Sequence, residues 1–249
     1  MTSSSTEGQS ARAAWEREYD HVHAYTTSYR DELDRGVEFL LGYLAGVGIE
    51  LQGPLLECAC GRGRNAILLA DRGFAIVGLD HALTALRRFD ERAEREGHRG
   101  RAVPVRHDLR ESLPIRNEAV GAVFDITAVD NLVEEAQRKA YGREIVRVLK
   151  PGGLAVVVTF DLEDGYYAPF LKRPDADGAV VRDPHTGICN KLFRAADLDR
   201  LFVPALELVA GNRFDFIDEA AQERWTRRFH LRFYRKPAAA GQQTSTTAC

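Results

Sequence analysis

The apolar positions of this chain change period at regular intervals. Leu33, Val37, Leu40, Leu41 and Leu44 recur at i, i+4, i+7, i+8 and i+11, the stripe of an amphipathic helix over 32–46. Residues 54–60 are strand-like and stop at Gly61. The spacing then predicts a helix over 64–72 stopped by Gly73, a short buried strand over 75–79 ending at Asp80, and a charged helix to about Glu96. A third strand, 102–107, ends at Asp108, and a fourth spans 119–126. The helix 134–149 carries Tyr141, Ile145, Val148 and Leu149 on one stripe and ends at LKPGG, where proline cannot continue a helix and glycine supplies the turn. LAVVVTF (154–160) is an apolar strand of the parallel-sheet type. Near the end, ALELVA and FHLRFYRK read as strands with no helix between them, an antiparallel addition.

Alternation of strand and helix at this interval predicts βαβ units and an α/β domain around a mostly parallel sheet. One domain is expected over 13–236, with a helical cap at 13–46 and an insert at 161–193 that is too long for an ordinary connection. The Ser/Thr/Gly/Gln-rich ends, 1–12 and 237–249, are expected to be disordered. In open α/β sheets ligands bind outside the carboxyl ends of the strands. That rule gathers Gly61–Asn65, Asp80, Asp108 and Asp125–Asn131 on one rim.

The rim begins with LLECACGRGRN (55–65). Gly61 and Gly63 allow a tight turn and close approach to a ligand, and Asp80 follows 17 residues after Gly63, placed to accept ribose hydroxyls or to cap a helix. Asp108 stands where an adenine amino group would lie, or acts as a turn residue. Gly61–Ala66 also fits the dinucleotide pattern G-x-G-x-x-G/A. Glu57 argues against a pyrophosphate, because a carboxylate below the turn repels it and favours a cationic ligand such as an amino-acid ammonium; capping a neighbouring backbone is the other use of such a glutamate. Adenine, ribose and a cationic amino-acid end together describe S-adenosylmethionine.

The net charge of −3 gives no electrostatic reason to bind nucleic acid or an anionic membrane, and no apolar run approaches the roughly 20 residues of a membrane span. Four cysteines in 249 residues are no disulfide framework, and the N-terminus lacks a signal-peptide core, so a cytoplasmic protein is expected. No metal is expected: His21 and His23 lack a third ligand, and Cys58 and Cys60 lack a second cysteine pair.

The series LLECACGRGRN, GFAIVGLD, HDLRESLP and VLKPGG resembles the class I S-adenosylmethionine-dependent methyltransferases, over about Trp15 to Lys236. LLADRGFAIVGLD and QRKAYGREIVRVLKPGGLAVVVTFD look most like the thiopurine and tellurite-resistance methyltransferase branch, whose WDRGAL reads FDITAV here (124–129). The resemblance implies a Rossmann-like seven-stranded sheet with helices on both faces and S-adenosylmethionine as cofactor. It carries Glu57, Ala59, Cys60, Gly61, Gly63 and Asn65 to the loop around the methionine part, Asp80 and His81 to the ribose, Asp108 and Leu109 to the adenine edge, and Asp125 and Ile126 to the methionine and sulfonium. The family's first glycine is Ala59 here, which is expected to keep a negative φ.

The expected reaction is methyl transfer to sulfur, nitrogen or oxygen of a small molecule. Another use of the cofactor such as its cyclisation, a non-catalytic cofactor-binding module, and a dinucleotide oxidoreductase are the rivals. Asp125 and Asp130 are the candidates to orient or deprotonate the acceptor. His107 ends a strand, which turns its side chain to the opposite face. Tyr19, Tyr25, Asn131, Tyr166, Tyr167 and Phe170 are candidate acceptor contacts; the alternative for the aromatics is that they cover the sheet edge.

Overall fold

The structure, a computed structural model, describes residues 3–20, 32–48, 50–51, 53–171, 179–220 and 223–238. Helix α1 (Ser3–Asp20) and helix α2 (Arg35–Val47) precede the alternating part. There β1 (Leu55–Cys58), α3 (Arg64–Asp71), β2 (Ile76–Asp80), α4 (Leu83–Arg95), β3 (Ala102–Arg106), β4 (Val120–Ile126), α5 (Glu135–Val148) and β5 (Leu149–Phe160) follow in turn. The remainder comprises β6 (Ala179–Arg182), β7 (Cys189–Leu192), α6 (Ala195–Phe202), β8 (Glu207–Ala220) and β9 (Glu223–Arg235).

Seven strands form one sheet in the order β3-β2-β1-β4-β5-β9-β8, while β6 and β7 form a separate hairpin. The first five strands run parallel, and β9 returns antiparallel beside β5 with β8 outside it. β1 has β2 on one side and β4 on the other, so the strand order reverses there, where a crevice opens at the carboxyl ends. This is the Rossmann-like fold with an antiparallel C-terminal edge that the pattern predicts.

Side-chain alternation divides the interior into two layers. Leu55, Phe124 and Val156 pack with Val37 and Leu40 of α2, Ile67 of α3 and Phe89 of α4. Leu56, Cys58, Val123 and Val157 pack with Tyr141 and Ile145 of α5 and Phe202 of α6. The same alternation sends Glu57 toward α3 and Asp125 toward α5, and this decides their roles.

LKPGG, expected as the turn before a strand at 154–160, instead opens β5, and three further features depart from the sequence reading. Residues 3–12, expected to be disordered, are helical, continuous with the turns of α1 that carry buried Ala14 and Tyr19. The short α6, with Leu198 and Phe202 buried, was not anticipated between the insert and the last strands. ALELVA is only the start of a 14-residue β8, whose far half pairs with β9 beyond the end of β5 at the Phe160–Phe229 register. Tyr25, His21, His23 and residues 237–249 after Ala238 lie outside the described residues, as does 172–178 of the insert.

Candidate functional site

A cleft of about 430 Å³ lies at the carboxyl ends of β1, β2, β3 and β4. Its floor is the turn after β1. Ala59, Gly61 and Gly63 have φ of 53°, 54° and 73°. Ala59 therefore corrects the expectation of a negative φ: it adopts a left-handed backbone despite its β-carbon. That geometry costs an L-residue about 1–2 kcal/mol, against about 0.5–1 kcal/mol of backbone entropy for glycine. Ala59→Gly is expected to stabilise the protein by about 0.5–1 kcal/mol, a rise of roughly 1–4 °C in a thermal unfolding scan; a fall would mean that the alanine methyl packs to advantage. A second such position is Thr127, φ 58°, where the branch string WDRGAL carries glycine.

The polar groups around the turn form two clusters. Asp80 accepts from Gly61 N at 2.9 Å and from Ala82 N at 2.8 Å, tying the glycine turn to the end of β2. The N-cap position of α4 is Ala82, so Asp80 is not its cap. Burial raises the Asp80 carboxyl, opposed by His81 and the two backbone donors. Glu57 is buried, and its Oε1 accepts from Asn65 Nδ2 at 2.8 Å. Its Oε2 is buried without a hydrogen-bond partner. Burial pushes the Glu57 carboxyl up to about 7, with Asn65 and Arg64 acting against it. Asn65 in turn accepts from Asp34 N at 2.9 Å, joining the start of α2 to the site. Asn65 thus borders the cleft and holds Glu57 in place.

At the far end, Leu109 and His81 border the cleft with Asp108. The Asp108 carboxylate is engaged by Arg110 through Nε at 2.8 Å and through Nη2, and Arg12 of α1 approaches to 3.4 Å. These guanidinium contacts hold the carboxyl well below the usual range although burial opposes them. His107 also borders the cleft, and its Nε2 is buried without a partner, as is that of His81.

Asp125 and Asp130 are corrected as catalytic candidates, because neither borders the cleft. Asp125 sits on the α5 side of the sheet and accepts from Ala128 N at 2.9 Å and Val129 N at 3.1 Å. Burial raises its carboxyl to about 6 against those donors and Tyr141. It shapes the turn after β4. Asp130 is fully buried and accepts from Phe160 N at 3.4 Å, and burial pushes its carboxyl well up. Ile126 does border the cleft, with Thr127 and Ala128.

Helix α1 closes one side. The ring of Trp15 stacks on Tyr19 at 5.7 Å, and its Nε1 donates to Asn131 Oδ1 at 2.8 Å. Glu16 accepts from Leu83 N at 2.7 Å and Thr84 N at 3.1 Å, occupying the start of α4. Tyr19 and Asn131 therefore stand at the cleft. Tyr166, Tyr167 and Phe170 do not. Tyr166 and Tyr167 coat the guanidinium of buried Arg227, each ring centroid 5.4 Å away, and Arg227 Nε donates to Asp164 at 2.9 Å. Both rings serve to bury an ion pair. Phe170, 40% exposed, faces an adjoining depression. The insert contributes instead through its β6–β7 hairpin, which brings Val180, Arg182, Ile188 and Cys189 to the cleft. AVVR shows no apolar–polar alternation in sequence, so nothing local marked the face that meets the cleft. Arg62, Arg110, Val133, Glu134 and Gln137 also line it and were not singled out as contacts. Among the described residues no group of three or more His, Cys, Asp or Glu could hold a metal ion, and no helix is long and apolar enough to cross a membrane.

Residues 55–153 match the family described as a methyltransferase domain. The chain is 31% identical over 105 residues to a "Probable S-adenosylmethionine-dependent methyltransferase" of Mycolicibacterium smegmatis, covering 42% of this chain and 37% of that protein. It is 30% identical over 131 residues to a 2-heptyl-1-hydroxyquinolin-4(1H)-one methyltransferase of Mycobacteroides abscessus, covering 52% of each. The chain thus spans about half or less of these curated relatives. In fold it is similar to the 1,6-didemethyltoxoflavin-N1-methyltransferase of Burkholderia thailandensis, solved with 1,6-didemethyltoxoflavin and S-adenosylhomocysteine, at TM-score 0.66 and 16% identity, covering 95% of this chain and 92% of that one. The matched segment is thus similar to methyltransferase domains, and the fold is one that S-adenosylmethionine-dependent methyltransferases share.

Proposed function

We propose that this protein transfers the methyl group of S-adenosylmethionine to a sulfur, nitrogen or oxygen atom of a small molecule. The observation that carries the reading is Glu57 Oε2, a buried carboxylate oxygen without a partner beside the glycine turn. An ammonium would satisfy it, whereas a pyrophosphate would be repelled. Asp80 would take the ribose hydroxyls with its remaining lone pairs, and Asp108 and Leu109 would meet the adenine edge. Ile126 would lie toward the sulfonium. When bound, the cofactor supplies a methyl group already on an excellent leaving group, so the protein's share is to position the acceptor and exclude water. Trp15, Tyr19 and the β6–β7 hairpin enclose the cleft for that purpose.

A small acceptor is favoured by the size of this cleft and by the acidic chain. Two of the similar proteins are named for small heteroaromatic acceptors, which supports the same class. The kinship to the thiopurine and tellurite-resistance branch rests on the two sequence strings alone.

Asp80→Ala is the direct test of the cofactor site. Charge-assisted hydrogen bonds contribute about 1.5–3 kcal/mol, so the variant should bind S-adenosylhomocysteine roughly 10- to 150-fold more weakly by calorimetric titration. Wild-type protein should release S-adenosylhomocysteine only when a metabolite pool is supplied. Methylthioadenosine released without an acceptor, or binding of NADH in its place, would refute the proposal.

A further inference from the structure

The β6–β7 hairpin forms the wall of the cleft away from the glycine turn. Along β6, Ala179 and Val181 are buried, while Val180 and Arg182 are exposed on the other face and border the cleft. Arg182 stands opposite Cys189 in the hairpin register, and its guanidinium lies over Gly187, whose φ is 74°. A β-carbon on Gly187 would lie 3.5 Å from Arg182 Nη2, an ordinary contact, so it is the left-handed backbone there that favours glycine.

The other cleft arginines for which partners are resolved are neutralised by the protein. Arg64 pairs with Asp34 at 3.1 Å, and Arg110 is held by Asp108 with Glu134 also within its electrostatic reach. Arg182 has no ion pair or hydrogen bond among the described residues. It also borders the adjoining depression, where Arg17 of α1 is a second cation with none. Leu132, Val133, Val180 and Ile188 give the same side of the cleft an apolar lining. A guanidinium keeps its charge at every physiological pH and presents a planar fork suited to a carboxylate.

We infer that the acceptor is a small organic acid, with an apolar or aromatic body against Val133, Val180 and Ile188 and its anionic group on Arg182. The inference rests on the methyl-transfer reading and deepens it. In the reaction the sulfur–methyl bond breaks with its electron pair going to sulfur, and the acceptor heteroatom's lone pair forms the new bond to carbon. A proton on that heteroatom passes to water. Arg182 touches the acceptor's charge and sets which acceptors enter.

The test uses the full chain saturated with S-adenosylhomocysteine, titrated by calorimetry with hydroxybenzoic and hydroxyquinoline-carboxylic acids and with their neutral carboxamides. At least one acid should bind tenfold or more tighter than its amide. That preference should fall about tenfold in Arg182→Gln and largely persist in Arg182→Lys, with S-adenosylhomocysteine affinity unchanged in both. Equal affinity of acids and amides, an unchanged preference in Arg182→Gln, or no acid binding to protein that still takes up S-adenosylhomocysteine would overturn the inference. Failure to bind S-adenosylhomocysteine at all would instead remove the methyl-transfer reading, and this one with it.

Discussion

Replacing Gly63 by alanine is expected to destabilise the protein by about 2–5 kcal/mol. Two costs add. Gly63 precedes α3 with φ 73°, where an L-residue loses about 1–2 kcal/mol. The new β-carbon would also overlap the ring of Phe89, which is fully buried on α4. Overpacking of this kind costs about 1–3 kcal/mol when the neighbour cannot yield. Phe89 cannot retreat toward β2: a β-carbon on Gly78 would lie 2.7 Å from Phe89 Cε1, so the ring already fills the space above that glycine. The drop in unfolding temperature should be roughly 5–20 °C. Phe89→Leu on the Gly63→Ala background should restore part of it, because the two residues share one contact. Unaltered stability in Gly63→Ala would mean that the turn relaxes freely and does not hold its shape against α4.

The sheet and the cofactor loop were legible because their signals are local. β1, β4 and residues 154–160 of β5 are covered on both faces and therefore read as mostly apolar runs, and the ends of β1, β2 and β3 are marked by Gly61, Asp80 and Asp108. Asp125 deceived for a reason in the same alternation. It ends β4 beside Ile126, yet being one residue along turns it to the α5 face, where three backbone contacts and Tyr141 use its carboxylate. Tyr166 and Tyr167 look like a free aromatic pair until Arg227, 60 residues later, arrives to be buried against them. Such pairings are set by tertiary contact and leave no periodic trace. The left-handed backbone of Ala59 was misjudged because side-chain preference argues against it, whereas the turn on either side enforces it.

Binding of S-adenosylhomocysteine should weaken up to tenfold per pH unit as the pH falls from about 7 to 5, and Glu57→Gln should remove most of that dependence. Burial holds the Glu57 carboxyl at about 7, above its ordinary 4.5, so near neutral pH the free protein carries it partly protonated. An ammonium beside Oε2 favours the ionised form, and each pH unit below 7 then costs one further factor of ten to remove the proton. Asp80, also raised by burial, titrates in the same sense, so the variant isolates the share of Glu57. The effect on folding has the opposite sign. The folded state binds a proton at Glu57 that the unfolded chain has released between about 4.5 and 7, so this group's contribution is full below 4.5 and is lost as pH rises through 7. The protein without ligand should therefore lose stability across that window while its affinity for the ligand rises. Glu57→Gln keeps the Asn65 contact but has no charge to offer the ammonium, and its affinity at pH 7.5 should fall roughly 10- to 150-fold. Calorimetric titrations at half-unit steps from pH 5 to 7.5, on wild type and variant, measure both effects. A wild-type affinity that is flat across this range would mean that Glu57 is not the group that meets the ligand's positive end.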